Sequence, residues 1–321
     1  MKERTQSKQA IGGRRVQVFL AVLVLAFALT LILVRSVRGR WEVPQVVVPV
    51  ADPTPSPTAT VTATTEGGAT ATPAVAPTPT STPTIPAVPL PEEARVPILM
   101  YHYVSELPPD ADVYRRDLTI SPEAFRAQLD YLSEAGYHPV TLTDVYLYLT
   151  EGMPLPEKPI VLTFDDGYRD AYEVVFPTLL EYGFTGTFFV LATPAHYRWD
   201  QYVTWEQLAE MSAAGMDIQA HGRDHVDLRN RSYDFLVYQI LGIQEAIEHH
   251  TGIKPRFFCY PSGARDADVI AVLKSAGYWG AVTTDYGRVQ SLGDVYEMPR
   301  IRIHGDTTLE GLISILEDDG A

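Results

Sequence analysis

Residues 159–191 read PIVLTFDDGYRDAYEVVFPTLLEYGFTGTFFVL, and this stretch decides the fold. PIVLTF (159–164) is an apolar run too short for a helix, and it stops at Asp165-Asp166-Gly167. Residues 170–182 then predict a helix that ends at Gly183, a typical C-terminal glycine stop. GTFFVL (186–191) is a second short apolar run. Strand, helix, strand is a βαβ unit, and strands apolar on both faces belong to a parallel sheet buried between helices.

The same alternation runs outward on both sides. VPILMYH (96–102), HPVTL (138–142), MDIQAH (216–221), RFFCYP (256–261), GAVTT (280–284) and MPRIRI (298–303) read as further strands. Ser121-Pro122 predicts an N-cap and first-turn proline for a helix that Gly136 closes. Further helices are expected from about Thr143 and over 204–214, 233–250, 266–276 and 307–317. Seven or eight such units predict an α/β fold, a distorted (β/α) barrel of about seven strands rather than an open sheet. Barrel chemistry sits at the C-terminal strand ends. Those ends supply His102, Asp165, Asp166, His221, the Pro261-Ser262-Gly263 turn, Asp285 and His304.

The chain has 321 residues, and its first ninety do not read as globular. Val16–Val34 is interrupted only by Gln17 and Thr30 and is long enough to cross a bilayer as a helix. Five basic residues precede it and three come after it, which favours a cytoplasmic N-terminus. A cleavable signal peptide has a shorter apolar core and a small-x-small site, absent here. Either segment exports the rest of the chain. Residues 51–86 are dominated by Pro, Thr and Ala and lack the apolar content to form a core, so they read as a disordered, semi-rigid stalk. The expected organisation is a basic tail (1–15), a membrane anchor (16–34), a linker (35–93) and a catalytic domain (94–321). The expected location is the cell membrane, spanned once, with the domain outside the cytoplasm.

The formal charge of −15 is uneven. Residues 1–40 hold eight of the 25 Lys and Arg and one of the 40 Asp and Glu, leaving 17 basic against 39 acidic groups in the rest, a net of −22. Such acidity opposes nucleic-acid binding. No obligate protein partner is implied. The single Cys259, in the apolar run RFFCYP, reads as a buried small hydrophobe.

Two motifs carry chemistry. In TFDDG (163–167), Gly167 allows a tight turn through which both carboxylates can face one mouth, one as metal ligand and one as base; helix N-capping is the competing role. In HGRDH (221–225), two histidines four apart on a helical turn can reach one metal. One Asp and two His leave positions open for water and substrate, as catalytic zinc requires.

TFDDG, HxxxH with Leu228 three residues on, and a strand ending in a Pro-x-Gly turn resemble the polysaccharide deacetylases, the NodB-homology or carbohydrate esterase family 4 enzymes. The resemblance spans roughly 94–305. It implies Asp165 as base and Asp166, His221 and His225 as ligands of a divalent metal, zinc by expectation. It implies the Ser262 backbone amide as oxyanion donor. It also implies a strand-end histidine as general acid, and His102 in ILMYH is favoured over His304 because the poly-N-acetylglucosamine deacetylases resemble that arrangement. The family's third-motif arginine is replaced by Cys259, so Arg300 in MPRIRI is the candidate substitute. The fourth motif is reduced to TTDYG around Asp285. The expected reaction removes N-acetyl groups from an acetylated amino-sugar polysaccharide, with Tyr103, Trp199, Tyr202 and Trp205 as candidates for stacking on sugar rings. An O-acetyl esterase on a xylan-type glycan and an inactive glycan-binding barrel are the alternatives.

Overall fold

The computed structural model describes residues 89–318. The expected tail and membrane anchor, and the linker up to residue 88, lie outside them. Among the described residues no helix is long and apolar enough to cross a membrane.

Seven parallel strands close into a barrel: β1 Ile98–Tyr101, β2 Pro159–Phe164, β3 Thr187–Val190, β4 Asp217–Ala220, β5 Phe257–Cys259, β6 Gly280–Tyr286 and β7 Met298–Arg302. Sequence neighbours are ring neighbours. Closure is made by β1, which sets Tyr101 opposite Phe164 of β2 and Leu99 opposite Ile301 of β7. Helices α1 Pro122–Glu134 and α2 Leu142–Glu151 lie between β1 and β2 in the chain, followed in later crossovers by α3 Phe176–Tyr182, α4 Trp205–Ala213, α5 Tyr233–Thr251 and α6 Ala267–Ser275. The chain ends on α7 Leu309–Glu317. Between β6 and β7 the described chain has no helix; Val289–Ser291 instead pairs antiparallel with Glu93–Arg95.

HPVTL contributes only His138–Pro139, paired to the start of β2. The reason is local. The Thr141 hydroxyl accepts from the Asp144 N–H and the Asp144 carboxylate from the Thr141 N–H, a capping box that commits the chain to α2. The helix expected over 170–182 opens with a wide π turn, Ala171–Val175, before α3.

Strand parity sorts the core. Ile160, Leu162 and Phe164 pack with the helices in one cluster, whereas Val161 joins Phe189, Phe257, Val282 and Met298 in another. The second set marks the barrel interior. Two residues on from its members, with the same parity, come Thr163, Cys259 and Arg300. All three are buried, and Asp165 continues the series.

Candidate active site

The strand ends bring Asp165, Asp166 and His221 together, with His225 from the loop after β4. Asp165 leaves β2 with its N–H bonded to the Tyr101 carbonyl at 2.9 Å, so His102, the next residue of that neighbouring strand, lies beside it. The chain then turns sharply. Asp166 (φ 71°) and Gly167 (φ 70°) are both left-handed, whereas the sequence assigned that freedom to Gly167 alone. A Cβ on Gly167 would also meet Val190 at 3.2 Å. Two consecutive left-handed residues cancel the strand alternation that would send the carboxylates to opposite faces. A non-glycine residue held there is strained, as functional residues often are.

The HGRDH segment is not a helical turn. It is an irregular loop after β4, with Gly222 at φ 86° and His225 at φ 48°. The loop still converges the rings. His221 Nε2 lies 3.2 Å and His225 Nε2 3.3 Å from the same Asp166 Oδ1. His221 Nδ1 donates to the Cys259 carbonyl at 2.7 Å, since a carbonyl can only accept. That bond leaves the Nε2 lone pair of a neutral ring aimed at Asp166. Asp166 Oδ1 is buried and makes no hydrogen bond. Lone pairs facing lone pairs around a buried carboxylate fit a cation, and an N₂O donor set suits zinc. Asp165, His221 and Cys259 also cluster closely enough to hold an ion. That group is the poorer fit because a guanidinium already occupies Asp165.

The guanidinium is that of Arg300, the candidate substitute. Its Nη1 donates to Asp165 Oδ1 at 2.8 Å and its Nη2 to Oδ2 at 2.7 Å, a two-pronged pair with Arg300 1% and Asp165 3% exposed. Arg300 Nε donates to the Thr283 carbonyl at 2.8 Å and Nη1 also to Thr163 Oγ1 at 3.0 Å. Burial raises the Asp165 carboxyl, but the charge and hydrogen bonds of Arg300 outweigh it and hold the group far below the usual carboxylate range.

Cys259 is buried as expected, yet it is more than a space-filler. Its thiol lies 3.4 Å from Asp165 Oδ2 and accepts from Arg300 Nη2 at 3.2 Å. Burial pushes its pKa up, so it is a neutral donor to Asp165. Interior parity of β5 was the sequence signal for this contact. Ser262, at φ 54°, lies in the turn after β5. Gly263 N–H donates to Tyr260 O at 2.8 Å and Ala264 N–H to Pro261 O at 3.1 Å, so neither bond uses the Ser262 N–H.

His102 Nδ1 is buried without a hydrogen-bond partner, and burial lowers its pKa against the opposing pull of Asp165 and Asp166. His304 is half-exposed and bonded through Nδ1 to Asp117 at 2.9 Å. Asp285 is drawn off to Arg265 at 2.7 Å. Of the four aromatics, three form a ladder: Tyr103 stacks on Tyr168 at 3.6 Å, Tyr168 lies 5.2 Å from Tyr202, and Trp199 is edge-on to Tyr202 at 5.9 Å. Tyr168 was missed, although it directly succeeds TFDDG at the strand end. Trp205 does not belong: it opens α4 in the core, 6% exposed, with its ring flat against His250 at 4.6 Å.

The family profile of the polysaccharide deacetylases matches residues 152–281. The Bacillus subtilis protein YxkH is 27% identical over 210 residues, covering 65% of this chain and 72% of its own. The poly-beta-1,6-N-acetyl-D-glucosamine N-deacetylase of Escherichia coli is 25% identical over 237 residues, covering 61% of this chain, which spans only 35% of that enzyme. The structure of the Streptococcus pyogenes deacetylase PplD in complex with acetate superposes with a TM-score of 0.65 at 27% identity, over 70% of this chain and 99% of that one.

Proposed function

We propose a reaction for the polysaccharide deacetylase domain of the NodB type that this chain carries: removal of N-acetyl groups from amino-sugar residues of a cell-surface or cell-wall polysaccharide. The domain is a hydrolase of carbon–nitrogen bonds other than peptide bonds. One observation carries the proposal. Two adjacent buried aspartates keep opposite company, Asp166 facing two imidazole nitrogens and Asp165 gripped by a guanidinium. That contrast supports a division of labour between a metal ligand and a base.

Asp166, His221 and His225 would hold a divalent ion, zinc by donor type. When bound, the metal polarises the acetamide carbonyl and makes water more acidic. Asp165 is kept ionised by Arg300 and accepts the proton of the attacking water. The Ser262 N–H donates to the developing oxyanion. His102 sits beside Asp165 and delivers a proton to the leaving amine, without which the C–N bond would not break. Tyr103, Tyr168, Tyr202 and Trp199 offer ring faces to the sugar chain. The sequence further supports a single-pass tether at 16–34 that holds the domain on a stalk above the cell membrane.

Metal analysis of the purified protein, together with acetate release from N-acetylglucosamine oligomers, tests the reading. About one zinc per chain is expected, with activity lost to a chelator and restored by zinc. No bound metal and no acetate from any acetylated glycan would defeat it. Acetate released from O-acetylated xylan but not from N-acetylated oligomers would transfer the site to an esterase.

A further inference from the structure

His221 and His225 reach Asp166 from different footings. His221 follows β4: its N–H donates to the Val190 carbonyl at 3.0 Å and its Nδ1 to the Cys259 carbonyl at 2.7 Å. Backbone and ring are thus both fixed, and the side chain is 3% exposed. His225 stands four residues on, at φ 48° in the irregular loop, with its side chain 38% exposed. No periodic element sets its distance from His221. The shape of residues 222–224 sets it instead.

That shape is imposed from α5. Gln239 is buried, and its Oε1 accepts from two consecutive loop amides, the Arg223 N–H at 2.9 Å and the Asp224 N–H at 3.2 Å. Its Nε2 donates to Asp224 Oδ2 at 2.6 Å. The loop is also tied to the start of the short helix Ala192–His196. There the Ala192 and Thr193 N–H groups donate to the Gly222 and Arg223 carbonyls at 3.3 and 3.0 Å, and the Thr193 hydroxyl donates to Asp224 Oδ1. The Arg223 side chain lies along α5 as well, its guanidinium 4.6 Å from the Tyr238 ring centroid. A Cβ on Gly242 of that helix would meet Arg223 Cδ at 2.8 Å. A primary amide offers, at one end, an acceptor for two N–H groups and a donor for a carboxylate. A carboxylate in its place lacks the donor, and an alkyl group lacks both.

We propose that Gln239 is a positioning residue for the metal centre: it fixes the loop between the two histidines and so holds the His225 ring at Asp166. The inference rests on the proposed ligand set of Asp166, His221 and His225. Gln239 acts through the Arg223–Asp224 peptide, next to His225 in the chain. Without it two N–H groups and a carboxylate lose a buried partner, and the loop relaxes toward water with His225 on it. Loss of such support around metal ligands lowers metal affinity by about 10- to 100-fold.

The test measures the zinc affinity of the purified protein by competition with a fluorescent chelator, which needs no turnover. Gln239→Leu is expected to weaken zinc binding about 10- to 100-fold. Gln239→Glu keeps the shape of the side chain but sets a carboxylate against Asp224, and at least about tenfold weaker binding is expected. Its added negative charge would by itself tighten a cation, so weaker binding reports a displaced ligand. Gln239→Glu/Asp224→Asn exchanges donor and acceptor at unchanged net charge and is expected to return the affinity to within about threefold of wild type. Gln244 is another buried glutamine of α5, but it donates to the Pro255 carbonyl. Gln244→Leu is expected to lower stability and leave zinc affinity unchanged. Unchanged affinity in the folded Gln239 variants overturns the proposal. So does a loss in Gln244→Leu as large as in Gln239→Leu, or a double variant no better than Gln239→Glu. Either Gln239 variant carries the test where the other is unfolded. Wild-type protein that binds no zinc defeats the ligand set itself, and this role with it.

Discussion

Asp165 and Asp217 stand at opposite ends of the barrel, the first buried and the second partly buried, and their acidities move in opposite directions. Asp165, past the C-terminal end of β2, receives two guanidinium hydrogen bonds and a thiol. Asp217, the first residue of β4, receives Gln219 Nε2 at 2.6 Å and Thr187 Oγ1 at 3.1 Å, and it feels the charge of Asp144. The hydrogen-bond supply is similar. Burial nevertheless carries Asp217 up to about 6, whereas Arg300 drives Asp165 down. Neutral donors therefore do not offset the loss of solvation of a carboxylate, and a single opposite charge does. The end that keeps an ionised carboxylate is the end that carries the site.

Arg300→Met is expected to have the largest effect. It leaves Asp165 buried and unpaired, which costs about 3–5 kcal/mol of stability by chemical denaturation. Acetate release should fall by about 10²–10⁴ in kcat, the scale of a lost general base. Normal activity in this variant would end the assignment of Arg300 as the partner of the base.

Asp217→Asn sharpens the other side. The native carboxyl stays protonated where the unfolded chain's, at 3.8, has ionised. Unfolding then releases a proton between about pH 4 and pH 6, so stability falls as pH rises through that window and the penalty is complete above it. The variant should be more stable than wild type by about 2 kcal/mol at pH 8 and no more stable at pH 4. Asp165 works the other way, contributing stability that is lost as pH falls below about 4. An Asp217→Asn gain independent of pH would refute the account.

Cys259→Ala and Cys259→Ser give the smallest effect. Removing a neutral donor while Arg300 remains should lower kcat about two- to fivefold at unchanged KM, with Ser recovering most of it. A loss in Cys259→Ala as large as in Arg300→Met would mean that the thiol, not the guanidinium, supports the base.

The strand runs and their terminal residues were legible because each is encoded within six or so residues. PIVLTF is β2 to the residue, and the Asp165-Asp166 pair, His102 and His221 stand at strand ends as expected. Local geometry was less legible. HGRDH looked helical because spacing cannot distinguish a helical turn from a loop with two left-handed residues. Trp205 looked like a sugar platform because exposure is not written in residue type, and its place at the start of α4 turns it into the core. The cap that cuts HPVTL short is itself local, a Thr141-x-x-Asp144 capping pattern.

By itself the sequence determined a parallel α/β barrel and the residue types at its strand ends, since apolar periodicity and residue type are local properties. Only the tertiary structure decided which residues meet. Arg300 reaches Asp165 across 135 positions of the chain. It does so because the ring closes β7 on β1 and β1 on β2, and because interior parity turns Thr163, Cys259 and Arg300 into one lumen. The same closure sets His102 beside Asp165 and leaves His304 paired with Asp117, a difference between two similar strand ends that residue type does not show.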